Sequence, residues 1–282
     1  MASLRLTNRV LDLWKAKQPA VTAWMGIGSA LTAEALARQG FDACLVDMQH
    51  GMIDEGTAIQ MFAAISTVPG VTPLARVRCN QPDKIHFLLD AGALGIVCPL
   101  INTAQEVRDF VAACRYPPQG RRSYGPGRGA FASGDYLGEA NANIATLAMI
   151  ETKEAIDNLD EICAVDGLDG VFIGPNDLAL SIGLPPSSDP TNTEVLRVIE
   201  NIRNAAHKAG KVAGIFCGNG ETAGTMIGRG FDFVCPGWDL GYLMGQAGSE
   251  LARARGGSGE ATGRAATAAT TTRTTTTNTP RY

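Results

Sequence analysis

The sequence predicts a (β/α)8 barrel, on three observations. Eight short apolar runs recur along the chain, and helical segments separate them. The runs lack the polar alternation of a half-exposed strand, so both faces are covered, as in a parallel sheet wrapped by helices. One word also repeats: AEALARQGFDACLVDM (33–48) and AGTMIGRGFDFVCPGWD (223–239) share a helical stretch, a glycine, Phe-Asp and an apolar run. IHFLLDAGALGIVCPL (85–100) and LDEICAVDGLDGVFIGP (159–175) rhyme with them, without the Phe-Asp. Each copy reads as a helix, a glycine that stops it, and a strand.

The predicted strands, in order, are VTAWMGI (21–27), ACLVDM (43–48), TPLARV (72–77), GIVCPL (95–100), ATLAMIE (145–151), GVFIGP (170–175), VAGIFC (212–217) and FDFVCPG (231–237). Two of the helices between them cover 54–67 and 103–115, the second opening on NTAQE, a capped start. Eight such units in about 250 residues make the pattern of this barrel. The rival is an open doubly wound sheet. It usually has fewer strands and a Gly-rich first loop, and GIGS (26–29) is too weak a signal for one.

The barrel is expected to occupy residues 1–254. Residues 255–282 are low-complexity Thr, Ala and Gly, with too little apolar content to offset the entropy of ordering, and are predicted to be disordered. Residues 116–135, YPPQGRRSYGPGRGAFASGD, form a long loop rich in Gly, Pro and Arg. Following the fourth strand unit, it is expected on the functional face.

Of the 282 residues, 45% are hydrophobic, enough for a large core, and the formal net charge is −4. Nothing in that balance points to a nucleic-acid or membrane-surface partner. The first residues carry no apolar signal-peptide core, and no run approaches the ~20 apolar residues of a membrane helix. The seven cysteines are odd in number, include no CxxC and fall largely within apolar strands. Buried free thiols in a reducing cytoplasm are therefore expected.

In such a barrel the active site is built where the strands end. Asp47 and His50 end the second strand, Arg76 the third and Glu151 the fifth, and Asp177 follows the sixth. The strand interiors are almost free of charge, and a buried charge is costly unless paired or bound to a metal. Glu151 and Asp177 are hard oxygen ligands suited to Mg2+ or Mn2+, with water and a chelating substrate completing the shell. Each carboxylate could instead cap a helix or pair with an arginine. His50 is the only one of three histidines at a strand end, and Asp47 beside it would hold it in one tautomer as a general base. Arg76 is placed to neutralise a developing oxyanion, or to pair with Asp47 or Glu151. Pro175 and Asn176 read as the start of a helix whose free N–H groups would receive a substrate carboxylate. No lysine ends a strand, which argues against imine chemistry and leaves a metal to polarise the carbonyl.

These words resemble the HpcH/HpaI aldolase family, the class II metal-dependent pyruvate aldolases. The matching stretches are GFDACLVDMQHG, PLARVRCNQP, LLDAGALGIVCPLINTAQEV, RYPPQGRRSYG, AMIETKEAIDNLDEI and GLDGVFIGPNDLA, in family order over about residues 5–250. The resemblance implies a (β/α)8 barrel in a homohexamer or trimer with swapped C-terminal helices, and a divalent metal (Mg2+ or Mn2+, Co2+ also fitting) on Glu151 and Asp177. It implies an Asp47–His50 dyad, Arg76 beside it, and Trp24 as an aromatic lining the pocket. The expected substrate contacts are Trp24, Arg76, Met149, Gly174, Pro175, Asn176 and Asp177. The implied reaction is cleavage of 4-hydroxy-2-oxo acids to pyruvate and an aldehyde through a pyruvate enolate. Met149 and Asn176 depart from the family's usual Gln and Ala, which leaves the acceptor open. The alternatives are an oxaloacetate decarboxylase like macrophomate synthase, an acyl-CoA lyase with Arg121, Arg122 and Arg128 around the CoA, and an inactive barrel serving as a scaffold.

Overall fold

In the computed structural model, which describes residues 5–257, the repeated Gly-Phe-Asp word, with its counterpart Gly167-Leu168-Asp169, does two jobs. Gly40 and Gly230 both sit at φ +91°, a left-handed helix ending that suits glycine because it has no Cβ. The aspartate then ties two strands together. Asp42 accepts the N–H of Val21 at 3.0 Å, Asp169 that of Thr146 at 2.7 Å, and Asp232 that of Ala213 at 2.9 Å. Each stands one residue ahead of its own strand and holds the second residue of the strand before it.

The elements alternate as predicted. They run α1 Arg9–Lys15, β1 Ala20–Met25, α2 Ala30–Ala37, β2 Ala43–Asp47, α3 Glu55–Ile65, β3 Thr72–Arg76, α4 Pro82–Asp90, β4 Gly95–Cys98, α5 Ala104–Cys114 and α6 Tyr136–Asn143. There follow β5 Ala145–Ile150, α7 Lys153–Asp157, α8 Leu159–Cys163, β6 Gly170–Ile173, α9 Pro175–Ser181, α10 Thr193–Lys208, β7 Val212–Cys217, α11 Gly220–Gly228, β8 Phe233–Pro236 and α12 Asp239–Ala254. All eight strands pair in parallel with their sequence neighbours, and β8 pairs with β1, so the barrel closes. The observed strand ends lie within two residues of those predicted. Helix α5 carries the capping box that NTAQE announces: Thr103 and Glu106 each accept from the other's backbone N–H.

Leu45, Leu74, Val97, Leu147, Phe172 and Phe233 fill the barrel interior, all at most 1% exposed. Burial of each contributes roughly 1.5–3 kcal/mol. A second apolar layer lies between strands and helices, as both-face burial requires. All seven cysteines are free, and all but Cys79 are buried. No helix among the described residues is long and apolar enough to cross a membrane.

The loop at 116–135 is on the opposite face from the one expected. It follows α5 rather than β4, so the chain has already returned down the outside of the barrel. Arg122 pairs with Asp90 at 2.6 Å, at the far end of α4, and Arg128 reaches the carbonyl of Ala91. Arg122 is fully buried, its guanidinium 4.4 Å from the Tyr116 ring, and Arg121 pairs with Asp109. These arginines brace the foot of the barrel, and a CoA groove at its mouth cannot be built from them.

The described residues divide into two compact units between Leu240 and Gly241. In the second unit, Leu243, Met244 and Leu251 of α12 are exposed. The predicted disordered tail falls almost wholly on residues 258–282, outside the described residues.

Candidate active site

The mouth of the barrel is organised by Asp47, the last residue of β2. The residue is 3% exposed and its carboxylate accepts five hydrogen bonds. Trp24 Nε1 donates at 3.1 Å, Arg76 Nε at 2.8 Å and Nη2 at 2.5 Å, and the backbone N–H groups of Gln49 and His50 at 3.0 and 3.2 Å. Burial pushes the Asp47 carboxyl up, but the donated bonds and charge of Arg76, with Trp24 and the His50 N–H, outweigh it and hold it below the usual range.

This geometry corrects the expected dyad. Asp47 holds the backbone of His50 and leaves its ring alone. The His50 imidazole makes no hydrogen bond among the described residues. A two-residue step after a strand end turns the chain back over the carboxylate, so N–H groups arrive before any side chain does. Gly51 completes the turn, and a Cβ there would collide with the Asp47 carbonyl.

Arg76 ends β3 directly opposite Asp47. Its guanidinium lies 4.9 Å from the Trp24 ring, so it is held by a forked ion pair on one side and a π face on the other. Its Nη1 makes no hydrogen bond among the described residues.

Glu151 follows β5 and is 2% exposed. Its Oε1 accepts the N–H of Leu100 at 2.8 Å. Leu100 has φ +53°, a conformation that costs a non-glycine residue about 1–3 kcal/mol and persists only where the surroundings impose it. The residues that follow are held by hydrogen bonds. The Thr152 hydroxyl donates to Asn102 Oδ1, and Asn158 Nδ2 donates to the Asn102 carbonyl at 2.9 Å. Burial raises the pKa of Glu151 above its ordinary value; the Leu100 N–H opposes the rise, the charge of Asp177 adds to it, and Arg76 opposes it. Glycine at 174 leaves room for the second oxygen, since a Cβ there would stand 2.5 Å from Glu151 Oε2. Gly174→Ala is therefore expected to swing the carboxylate and weaken divalent-cation binding by about 10–100-fold, the usual effect of disturbing a ligand's support. Calorimetric titration of Mn2+ into the variant checks it.

Helix α9 starts at Pro175 with no side-chain cap, leaving the N–H groups of its first turn available. Asp177 lies in that turn, and Asn176 Nδ2 donates to Ser188 Oγ at 2.9 Å. A single cavity of about 340 Å3 collects these groups. Trp24, Asp47, His50, Arg76, Met149, Glu151, Gly174, Pro175, Asn176 and Asp177 all line it.

Several contributors were not foreseen. Leu100 acts through its backbone, which no residue type advertises. Asp239 accepts the N–H groups of Gly26 and Ile27, both at 2.9 Å, fastening the loop after β1 to the start of α12. The Gly-Trp-Asp ending of the repeated word was visible, but not its partner more than 200 residues away. Ser188, Phe216 and Trp238 also line the cavity.

Comparison with known proteins agrees with this architecture. The family model described as HpcH/HpaI aldolase/citrate lyase matches residues 21–245. A hydroxypyruvate/pyruvate aldolase of Rhizorhabdus wittichii is 45% identical over 249 residues, 88% of this chain and 99% of the relative. A 4-hydroxy-2-oxo-heptane-1,7-dioate aldolase of Salmonella dublin is 37% identical over 257 residues, 90% of this chain and 96% of the relative. The crystal structure of a family protein from Burkholderia cenocepacia J2315 superposes with a TM-score of 0.83 at 29% identity, covering 88% of this chain and all of that one. With its closed barrel and its ionisable groups gathered at one mouth, the chain belongs to the HpcH/HpaI aldolase/citrate lyase family.

Proposed function

We propose that this aldolase cleaves 4-hydroxy-2-oxo acids to pyruvate and an aldehyde, and runs the addition in reverse, with Mg2+ or Mn2+ held by Glu151 and Asp177. The observation that carries this reading is one cavity that holds two carboxylates, Glu151 and Asp177, beside a guanidinium and a histidine; burial raises the pKa of Glu151, and the charge of Asp177 adds to the rise. The donor set fits a hard cation. Among the described residues Glu151 has one hydrogen bond, on Oε1, and Gly174 has no Cβ to crowd its Oε2. Two carboxylates leave the other positions of an oxygen shell for water and a chelating 2-oxo acid. When bound, the cation supplies Lewis acidity to the 2-oxo group and balances the carboxylate charge.

The chain's own groups do the rest. The first-turn N–H groups of Asn176 and Asp177 receive the substrate carboxylate. His50, whose ring makes no hydrogen bond among the described residues, takes the proton of the 4-hydroxyl. The C3–C4 bond breaks, its electrons pass to the pyruvate half, and C4 becomes the aldehyde carbon. Arg76 Nη1 donates to the enolate oxygen, with Asp47 and Trp24 fixing the guanidinium in place. A proton returned to C3 gives pyruvate. Co2+ suits the same ligands.

Exhaustive chelation is expected to abolish pyruvate release, and Mg2+ or Mn2+ to restore it. Full turnover by chelated enzyme overturns the reading. Acid should act on the cation first. Glu151 ionises above its ordinary 4.5, and protons compete with the cation for the carboxylate. Cation affinity is expected to fall on acidification while the pH is still above that value. A calorimetric affinity that stays flat between about pH 7 and pH 4.5 removes Glu151 from the ligand set.

The exposed apolar residues of α12 support a homo-oligomer, hexamer or trimer, with that helix exchanged between subunits. The seven free thiols support a cytoplasmic setting.

A further inference from the structure

One side of the cavity is aromatic from base to rim. Trp24, 4% exposed, stacks on Phe172 with centroids 5.4 Å apart and planes 28° from parallel. It meets Phe216 edge to face at 5.5 Å, and Phe216 meets Trp238 at 6.2 Å. Trp24 also donates to Asp47 and carries the Arg76 guanidinium on its face. The series thus starts at the ionic cluster and ends at Trp238, 36% exposed, with Leu240 beside it on the cavity wall.

The electrostatics of the cavity divide in the same way. Asp47, Glu151 and Asp177 line it against one fixed cation among the described lining residues, Arg76. That cation is forked onto Asp47. An acceptor ending in a carboxylate would lie against Phe216, Trp238 and Leu240 and lose its hydration without a partner charge. A flat uncharged group would instead stack on the rings, which prefer offset and edge-on contacts at the spacings seen here.

We propose that the wall formed by Phe216, Trp238 and Leu240 binds the acceptor half of the reaction, and that the acceptor is an uncharged aldehyde bearing an aromatic or similarly flat apolar group. This rests on the aldolase reading given above. In the addition direction, pyruvate C3 loses a proton to solvent and bonds to the aldehyde carbon. The aldehyde oxygen takes a proton from His50 and becomes the 4-hydroxyl, so atoms and electrons balance with no other reactant. Trp238 is a specificity-determining residue in this scheme.

The test uses the full chain loaded with Mn2+ and two acceptors, benzaldehyde and succinate semialdehyde. Exchange of the pyruvate C3 protons in D2O, without any acceptor, reports the donor half alone. Exchange is expected, together with a kcat/KM for benzaldehyde at least tenfold above that for succinate semialdehyde. Trp238→Ala is expected to lower that ratio at least tenfold, mainly through KM for benzaldehyde, and Trp238→Phe to recover most of it. Exchange accompanied by a preference for succinate semialdehyde, or a ratio unmoved by Trp238→Ala, overturns the acceptor assignment and leaves the aldolase reading standing. Absence of both exchange and addition overturns the two together.

Discussion

Glu151→Gln is expected to cost at least about 1,000-fold in kcat/KM, close to 4 kcal/mol of transition-state stabilisation, while leaving the protein folded. Glutamine has nearly the same shape, and its amide oxygen can keep the bond from the Leu100 N–H. What changes is the second oxygen, which becomes an N–H2 group. A position suited to a cation then presents donors. The stability effect runs the other way. A carboxyl whose pKa is raised by folding costs stability wherever the unfolded chain would be ionised, which at neutral pH is the case for Glu151. Removing the charge relieves that cost, so the melting temperature should hold or rise. Steady-state assay of pyruvate release and a thermal melt decide it together. A glutamine variant with wild-type turnover and unchanged cation dependence would remove Glu151 from the chemistry.

Arg76→Ala should produce the largest loss of stability at the mouth. The Asp47 and Arg76 side chains are 5% and 8% exposed. Removing the arginine strands a buried carboxylate, with an expected cost of about 3–5 kcal/mol in urea denaturation. The double variant Asp47→Ala with Arg76→Ala should lose less than the sum of the two single changes, because the stranded charge is gone. Acidity provides a second handle. The folded Asp47 pKa lies below its ordinary 3.8. The pair's contribution is therefore complete above that value and is lost as pH falls through the lower folded one. Additive single and double losses would show that the two residues act independently. Pyruvate release should fall in parallel with the loss of the guanidinium.

The barrel was legible because its strands are covered on both faces: ACLVD and GVFI are apolar at every position but the last Asp, and every one of those residues is buried. The mouth was legible for the same reason. On so apolar a background, Asp47, Arg76 and Glu151 stand out as the points where strands reach water. What resisted reading was tertiary. The Asp47 carboxylate is bound by Trp24 and Arg76, on either side of it in the barrel, and sequence spacing suggested His50 instead. Leu100 contributes an N–H and an unusual φ, and neither belongs to its side chain. The loop at 116–135 was given to the wrong end because the direction of the chain reverses through α5. Asp239 meets Gly26 only because the cylinder closes.

Asp42, Asp169 and Asp232 have a wider meaning. They rivet β1 to β2, β5 to β6 and β7 to β8, all at the floor, using carboxylates that never see the reacting end. These three fastenings thus lie at the end of the cylinder away from the chemistry. A new acceptor can be accommodated by exchanging rim side chains such as Trp238 without touching these three fastenings.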